Sequence, residues 1–327
     1  MKRREFITLV GGAAVAASSP ARAQQPAKIR RIGILETVSP PLNMMNLDAL
    51  RRGLREFGYV ENQHYILEYR SADGDARRFP VLAEELTRLG VDLIVTRGTP
   101  AALAAKNATE TIPIVMAAIG EPLGVGVVAS LARPGGNVTG LSAFVTELAG
   151  KRVELLKELR PGNSIAAFLV NMANPVSPLQ WEETKKAAQT LGIEVALLDV
   201  ETKDDIPRAF EAASARNVDT LLVGIDALTQ ENRQLIADLA AKYRLAAIYP
   251  SKEFVDVGGL MAYGVSYPDL YFRSASLIDK IFRGAKAGDL PVEQPTKLEL
   301  IINLNAAKAL GLSVPPALLS RADEVIE

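Results

Sequence analysis

Asp92-Leu93-Ile94-Val95-Thr96-Arg97-Gly98-Thr99-Pro100-Ala101-Ala102-Leu103-Ala104-Ala105-Lys106-Asn107 decides the fold. The run Asp92 to Thr96 is apolar, partly β-branched and short, which predicts a buried strand. A glycine turn follows, and then an alanine-rich segment that favours helix. Thr99 is the expected N-cap, and Pro100 the first helical residue, where no N–H donor is needed. Gly98 lets the backbone come close to a ligand. The free N–H groups and dipole at such a helix start suit an anion, although plain capping explains the same pattern. Arg97 either adds charge there or is solvated.

The same grammar extends outward in both directions. Further strands are predicted over 32–35, 65–69, 112–116 and 137–141, with helices over 46–57, 77–89 and 125–131 between them. A helix over 147–159 leads into a second series. Its strands fall at 165–170, 194–198, 220–223 and 246–249, and its helices at 178–191, 205–216 and 229–243. Strands alternating with helices of this length predict parallel sheets covered on both faces and built by right-handed crossovers. The fold class is therefore α/β, with two doubly wound halves. After Gly258-Gly259, the helix 268–283 and the alternating stretch 297–303 add to sheets already built.

The chain has 327 residues with 37 basic and 38 acidic side chains, a net charge of −1, one histidine and no cysteine. This excludes thiolate catalysis, disulfides, cysteine-bound zinc, iron–sulfur clusters and a histidine-rich metal site. Near-neutral charge gives no field for nucleic acid, and 6% aromatic content gives no stacking platform for single strands. His64 has no triad partner and is expected at the surface. Trp181 is expected to pack on the second half. Gly124-Val125-Gly126-Val127-Val128-Ala129 spells a dinucleotide-binding pattern, but seven residues separate it from the preceding strand, where a tight turn is needed. Asn137-Val138-Thr139 is a glycosylation sequon by spelling only. No cofactor is expected.

Lys2, Arg3 and Arg4 precede an apolar stretch from Phe6 to Ala17, and Ala21-Arg22-Ala23 closes it. That order predicts a signal peptide over 1–23, removed near Ala23, and a periplasmic location. The stretch is too short to span a bilayer, which takes about 20 apolar residues. Arg3-Arg4-Glu5-Phe6-Ile7 resembles a twin-arginine signal; a general secretory signal carrying two arginines remains open. No membrane insertion of the mature chain is expected.

In open parallel sheets, ligands bind beyond the carboxyl ends of the strands. This rule selects Glu36, Thr37, Gly98, Thr99, Ala117, Ala118, Asn171, Asn174, Asp226, Tyr249 and Tyr263 as candidate ligand-binding residues. Asp226 could pair with a ligand ammonium or cap the next helix. Tyr249 and Tyr263 could wall an apolar group or be packing. No nucleophile–base pair is evident, so no catalytic residue is assigned.

Several runs are specific: Gly98 to Lys106, Ser130-Leu131-Ala132-Arg133-Pro134-Gly135-Gly136-Asn137-Val138-Thr139-Gly140-Leu141-Ser142, Gly150 to Leu159, Ala247-Ile248-Tyr249-Pro250, Gly258 to Gly264, Leu290 to Lys297 and Arg321 to Glu327. Through them the whole chain resembles the bacterial ABC-transporter substrate-binding family that includes tryptophan-binding members. Glu121 departs from it, because relatives usually carry aspartate in the Gly120-Glu121-Pro122 run. The resemblance implies a type I periplasmic binding fold, two lobes joined by three hinge crossings near 143–147, 258–262 and 290–294. The N-terminal lobe would be 29–143 plus 261–290, and the C-terminal lobe 144–260 plus 291–327. It implies a monomeric periplasmic receptor that hands a small, amino acid-like ligand to an ABC permease and its ATPase. A sensing module for a membrane kinase or chemoreceptor is the alternative reading.

Overall fold

The computed structural model describes residues 29–162 and 164–327. The expected signal peptide and its cleavage site lie outside the described residues. The first half runs β1 (Arg30–Glu36), α1 (Met44–Glu56), β2 (Tyr65–Ser71), α2 (Phe79–Arg88), β3 (Leu93–Arg97), α3 (Thr99–Ala108), β4 (Ile114–Ile119) and β5 (Val138–Ser142). These strands form a parallel sheet in the order β2-β1-β3-β4-β5. Alternation along each strand feeds two cores: Ile32, Ile34, Leu93 and Val95 face α1, while Leu35 and Ile94 face α2 and α3.

The second half runs α4 (Val145–Leu159), β6 (Ile165–Val170), α5 (Ser177–Thr190), β7 (Glu194–Asp199), α6 (Asp205–Ala215), β8 (Thr220–Val223), α7 (Ala227–Glu231), α8 (Arg233–Lys242), β9 (Ala246–Tyr249), α9 (Lys252–Val255) and β10 (Met261–Val265). The chain returns to the first lobe as α10 (Tyr267–Phe282), then crosses back as β11 (Leu298–Asn303), α11 (Leu304–Leu310), α12 (Pro316–Leu319) and β12 (Glu324–Ile326). The second sheet has the order β12-β11-β10-β9-β8-β6-β7. Its β10–β11 pair is antiparallel, which the parallel reading did not include.

Three sequence expectations need correction. Residues 125–131 form turns, not a helix, which removes the dinucleotide-binding pattern from any strand-turn-helix context. Met261–Val265 pairs with β9 and β11, so the second crossing is at 265–267 rather than 258–262. Residues 291–293 stay with the first lobe: Val292 N–H donates to the Leu131 carbonyl at 2.7 Å and Glu293 N–H to Gly140 at 2.8 Å. The third crossing therefore follows Glu293.

Helix α10 completes the first lobe. It packs on α1 and covers β4 and β5, burying Leu270, Tyr271, Leu277 and Ile278. A side chain at Gly53 of α1 would run into the Phe272 carbonyl of α10, so glycine allows that close crossing. In the second lobe, α6, α8 and α9 cover one face, and α4, α5, α11 and α12 the other.

Candidate functional site

The carboxyl ends of β1, β3 and β4 face those of β6 and β8 across a cavity of about 440 Å³, its mouth included. The first lobe contributes Thr37, Arg97, Gly98, Thr99, Ala118 and Gly120. The hinge contributes Ala143, Val145 and Tyr267. The second lobe contributes Asn174, Val176, Ile225, Asp226 and Gln230. The pairing register shifts between Thr96 and Arg97, and again between Met116 and Ile119. Such irregularities re-aim side chains at strand ends: Ala117 and Ala118 pack in the same core, and Ala118 also lines the cavity.

Arg97 is held rigidly at one end. Its Nη2 donates to Glu253 Oε2 at 2.7 Å, its Nε lies 3.9 Å from Glu36 Oε1, and its guanidinium carbon lies 3.9 Å over the Tyr267 ring. Burial works against its charge, but Glu253 and Glu36 outweigh that and hold it firmly protonated. Burial also pushes Glu253 up, yet Arg97 brings its carboxyl below the usual range. Arg97 Nη1 and the neighbouring Thr99 hydroxyl have no hydrogen-bond partner among the described residues, and both are buried. Gly98, at φ 87°, is the actual N-cap of α3. Thr99 is the first helical residue and makes no cap bond, so its hydroxyl stays unengaged. The cap moves one residue because Gly98 takes the left-handed turn that starts the helix.

Asp226 sits at the other end, on the second lobe. It caps α7 by accepting from Leu228 N–H at 2.8 Å. Asn174 Nδ2 donates to it at 2.9 Å and Asn171 Nδ2 at 3.4 Å. Burial raises its carboxyl above the usual range, against the lowering pull of these donors. Gln230, one turn along α7, has a buried Oε1 with no partner among the described residues. Two donors on one lobe thus face acceptors on the other.

The lobes are closed on each other. Ser39 donates to Glu231 through both its N–H, at 2.9 Å, and its hydroxyl, at 3.0 Å. Asn46 Nδ2 donates to Glu253 at 3.2 Å, and Arg233 Nη2 to the Leu42 carbonyl at 3.2 Å. Near the hinge, Gly120 meets Val176: a Cβ placed on Gly120 would lie 2.9 Å from Val176 Cγ2.

Thr37, Gly98, Thr99, Ala118, Asn174 and Asp226 line the cavity. Glu36 and Asn171 stand behind it. Glu36 accepts from the Thr37 N–H and hydroxyl, Asn43 Nδ2 and the Tyr271 hydroxyl, which locks Thr37 in place. Three expectations fail. Ala117 belongs to the core between the sheet and its helices. Tyr249 is fully buried in the second lobe, stacked on Phe254 at 4.9 Å. Tyr263 packs between the lobe cores, and its carbonyl accepts from Arg152 Nε at 2.8 Å. The apolar wall expected from these tyrosines is not in this cavity. Glu121 faces Thr146 and Glu147 instead, and burial, with Glu147 beside it, raises its carboxyl. His64 accepts from Val60 N–H, Asn137 tethers the Thr109 and Ile112 carbonyls, and Trp181 stacks on Phe168. Sequence reasoning missed Tyr267, Val176, Gln230 and Glu253, which lie beyond strand ends on helix starts.

The sequence matches the family described as ABC transporter substrate binding protein over residues 31–326. It is similar to a tyrosine-binding protein of Clostridioides difficile (strain R20291), with 29% identity over 289 residues, 87% of this chain and 82% of the relative. The fold is similar to an ABC domain from Streptococcus pneumonia in complex with L-Trp, at TM-score 0.83 and 30% identity, covering 91% of this chain and all of that one. A ligand-free, open structure of a substrate binding protein with adhesive properties from Clostridium difficile superposes at TM-score 0.65, with 26% identity over 91% of this chain and 99% of that one.

Proposed function

The chain belongs to the ABC transporter substrate binding protein family, and from that premise we propose that it is the receptor of an ABC importer, closing on a free α-amino acid. Members of the family bind ligands and catalyse nothing; any ATP hydrolysis belongs to a partner. Substrate-binding proteins of this family are typically exported, and no helix of the described residues is long and apolar enough to cross a membrane. Release into the periplasm as a monomer, through the predicted signal, is part of the proposal.

One observation carries the ligand reading. Arg97 Nη1, Thr99 Oγ1 and Gln230 Oε1 are all buried, all line the cavity, and all lack partners among the described residues. A buried polar group left unpaired costs about 1–3 kcal/mol, so three in one cavity ask for a ligand. Arg97, Thr99 and the start of α3 offer donors to a carboxylate. Gln230 and Asp226 offer acceptors to an ammonium. A zwitterion would satisfy both lobes at once and so couple binding to closure. The similarity to relatives named for tyrosine and L-Trp supports an amino acid.

Native mass spectrometry of freshly purified protein, followed by calorimetry with the co-purified compound, tests the proposal. An amino acid that shrinks the radius of gyration in small-angle scattering is expected. A co-purified ligand without a cationic group would remove the zwitterion reading.

A further inference from the structure

We propose that the cleft selects amino acids with an aliphatic side chain and no polar tip, an inference that rests on the amino-acid reading above. The polar groups still open to a ligand are gathered where the zwitterion would sit. Apart from Asn174, from Thr37, whose hydroxyl donates to Glu36 at 2.9 Å, and from Tyr267, whose ring lies under Arg97, the remaining side chains of the lining are apolar, among them Pro100, Ile119, Val145, Val176 and Ile225. Asn174, the other polar side chain on the second-lobe wall, has both ends of its amide engaged: Nδ2 on Asp226, Oδ1 with Val176 N–H at 3.2 Å. A tyrosine hydroxyl or indole N–H entering this wall would be buried without a partner. That costs a ligand about ten- to a hundredfold in affinity.

The aromatic alternatives are accounted for. Tyr267 is the ring at the cavity, and the Arg97 guanidinium lies over it. Tyr249 is stacked on Phe254 in another core. Among the described residues Tyr267 is the one aromatic side chain on the lining, and the Arg97 guanidinium takes one face of its ring. Size points the same way. Val176 closes against Gly120, and Val145 Cγ2 would be 3.5 Å from a Cβ there, so branched side chains pinch this end of the slot.

The test is calorimetry on full chain stripped of ligand in denaturant and refolded, titrated with the twenty L-amino acids. Leucine, isoleucine or valine should bind at least about tenfold tighter than tyrosine and tryptophan. Tyrosine or tryptophan binding as tightly as the best aliphatic would overturn the inference and leave the amino-acid reading standing. Binding of none of the twenty would overturn both. Val176→Ala widens the pinch and should raise phenylalanine affinity relative to leucine by about tenfold. A ratio unchanged in a folded variant would overturn the wall assignment.

Discussion

Gly120→Ala isolates closure from folding. Gly120 does not hold a left-handed φ, so alanine can adopt its backbone. The new methyl would lie 2.9 Å from Val176 Cγ2 of the second lobe, 3.2 Å from Thr99 Oγ1 and 3.5 Å from Val145 Cγ2. Carbon atoms in good contact stand about 3.5–4.0 Å apart, so Val176 must retreat by roughly 0.6–1 Å for the lobes to close. Overpacking of this kind costs about 1–3 kcal/mol. The Val176 contact, the tightest of the three, exists only with the lobes together, so most of the cost falls on the liganded state, while the Thr99 contact lies within one lobe and is met in both states. Affinity should drop by about fivefold to 150-fold. The ligand-free protein should melt near the wild-type temperature, or slightly above it, because alanine restricts the unfolded chain. Calorimetry with the co-purified ligand measures the first effect, and thermal melts without ligand the second. Wild-type affinity in a normally folded variant would refute the reasoning, as would a large fall in the melting temperature of the ligand-free form.

Asp226→Asn should weaken binding by about ten- to a hundredfold, and Thr99→Val by less, since backbone donors of α3 remain; calorimetry on both variants decides, and wild-type affinity for Asp226→Asn excludes the carboxylate from the ligand set. Burial keeps the free Asp226 carboxyl above its usual range, and a ligand ammonium would draw it down. Binding should therefore release protons in the acid range, with affinity rising with pH through the raised value and then levelling; matching heats in two buffers of different ionisation enthalpy would show that no proton moves. The same raised pKa makes the Asp226 contribution to folding weaken as pH rises through that window, because the unfolded chain ionises first. Arg152 is buried, its Nη2 has no partner among the described residues, and burial pulls it down to about 10. Arg152→Met should leave stability within about 1 kcal/mol of wild type or raise it, and a loss above about 3 kcal/mol in denaturant melts would show that the charge is engaged in the fold.

The fold was legible because the strands are short apolar runs and the helices are capped where glycine or proline demands. Strand-end position picks out Thr37, Gly98, Thr99 and Asp226, which the structure places on the lining of one cavity. It failed where one residue of register decides the outcome. Ala117 and Ala118 are neighbours on one strand yet share one core, and the pairing irregularity that puts Ala118 on the cavity is invisible in composition. Tyr249 ends a strand, as Arg97 does, but Phe254 on the next helix claims its ring. Tyr267, Val176 and Gln230 reach the cavity only because two lobes are apposed, and no local pattern encodes that apposition. The antiparallel β11 was equally hidden, since its partner β10 lies on the far side of α10.

The return of α10 to the first lobe sets an order of events during synthesis. While residues 143–266 are being made, β4 and β5 lack the helix that covers one of their faces. At about 5–20 residues per second, that interval lasts roughly 6–25 s. The first lobe begins first yet is completed after five strands of the second have been translated. A chain interrupted before Tyr267 lacks the α10 side chains that share a core with Leu141 and Val115, although it carries every strand of its first sheet.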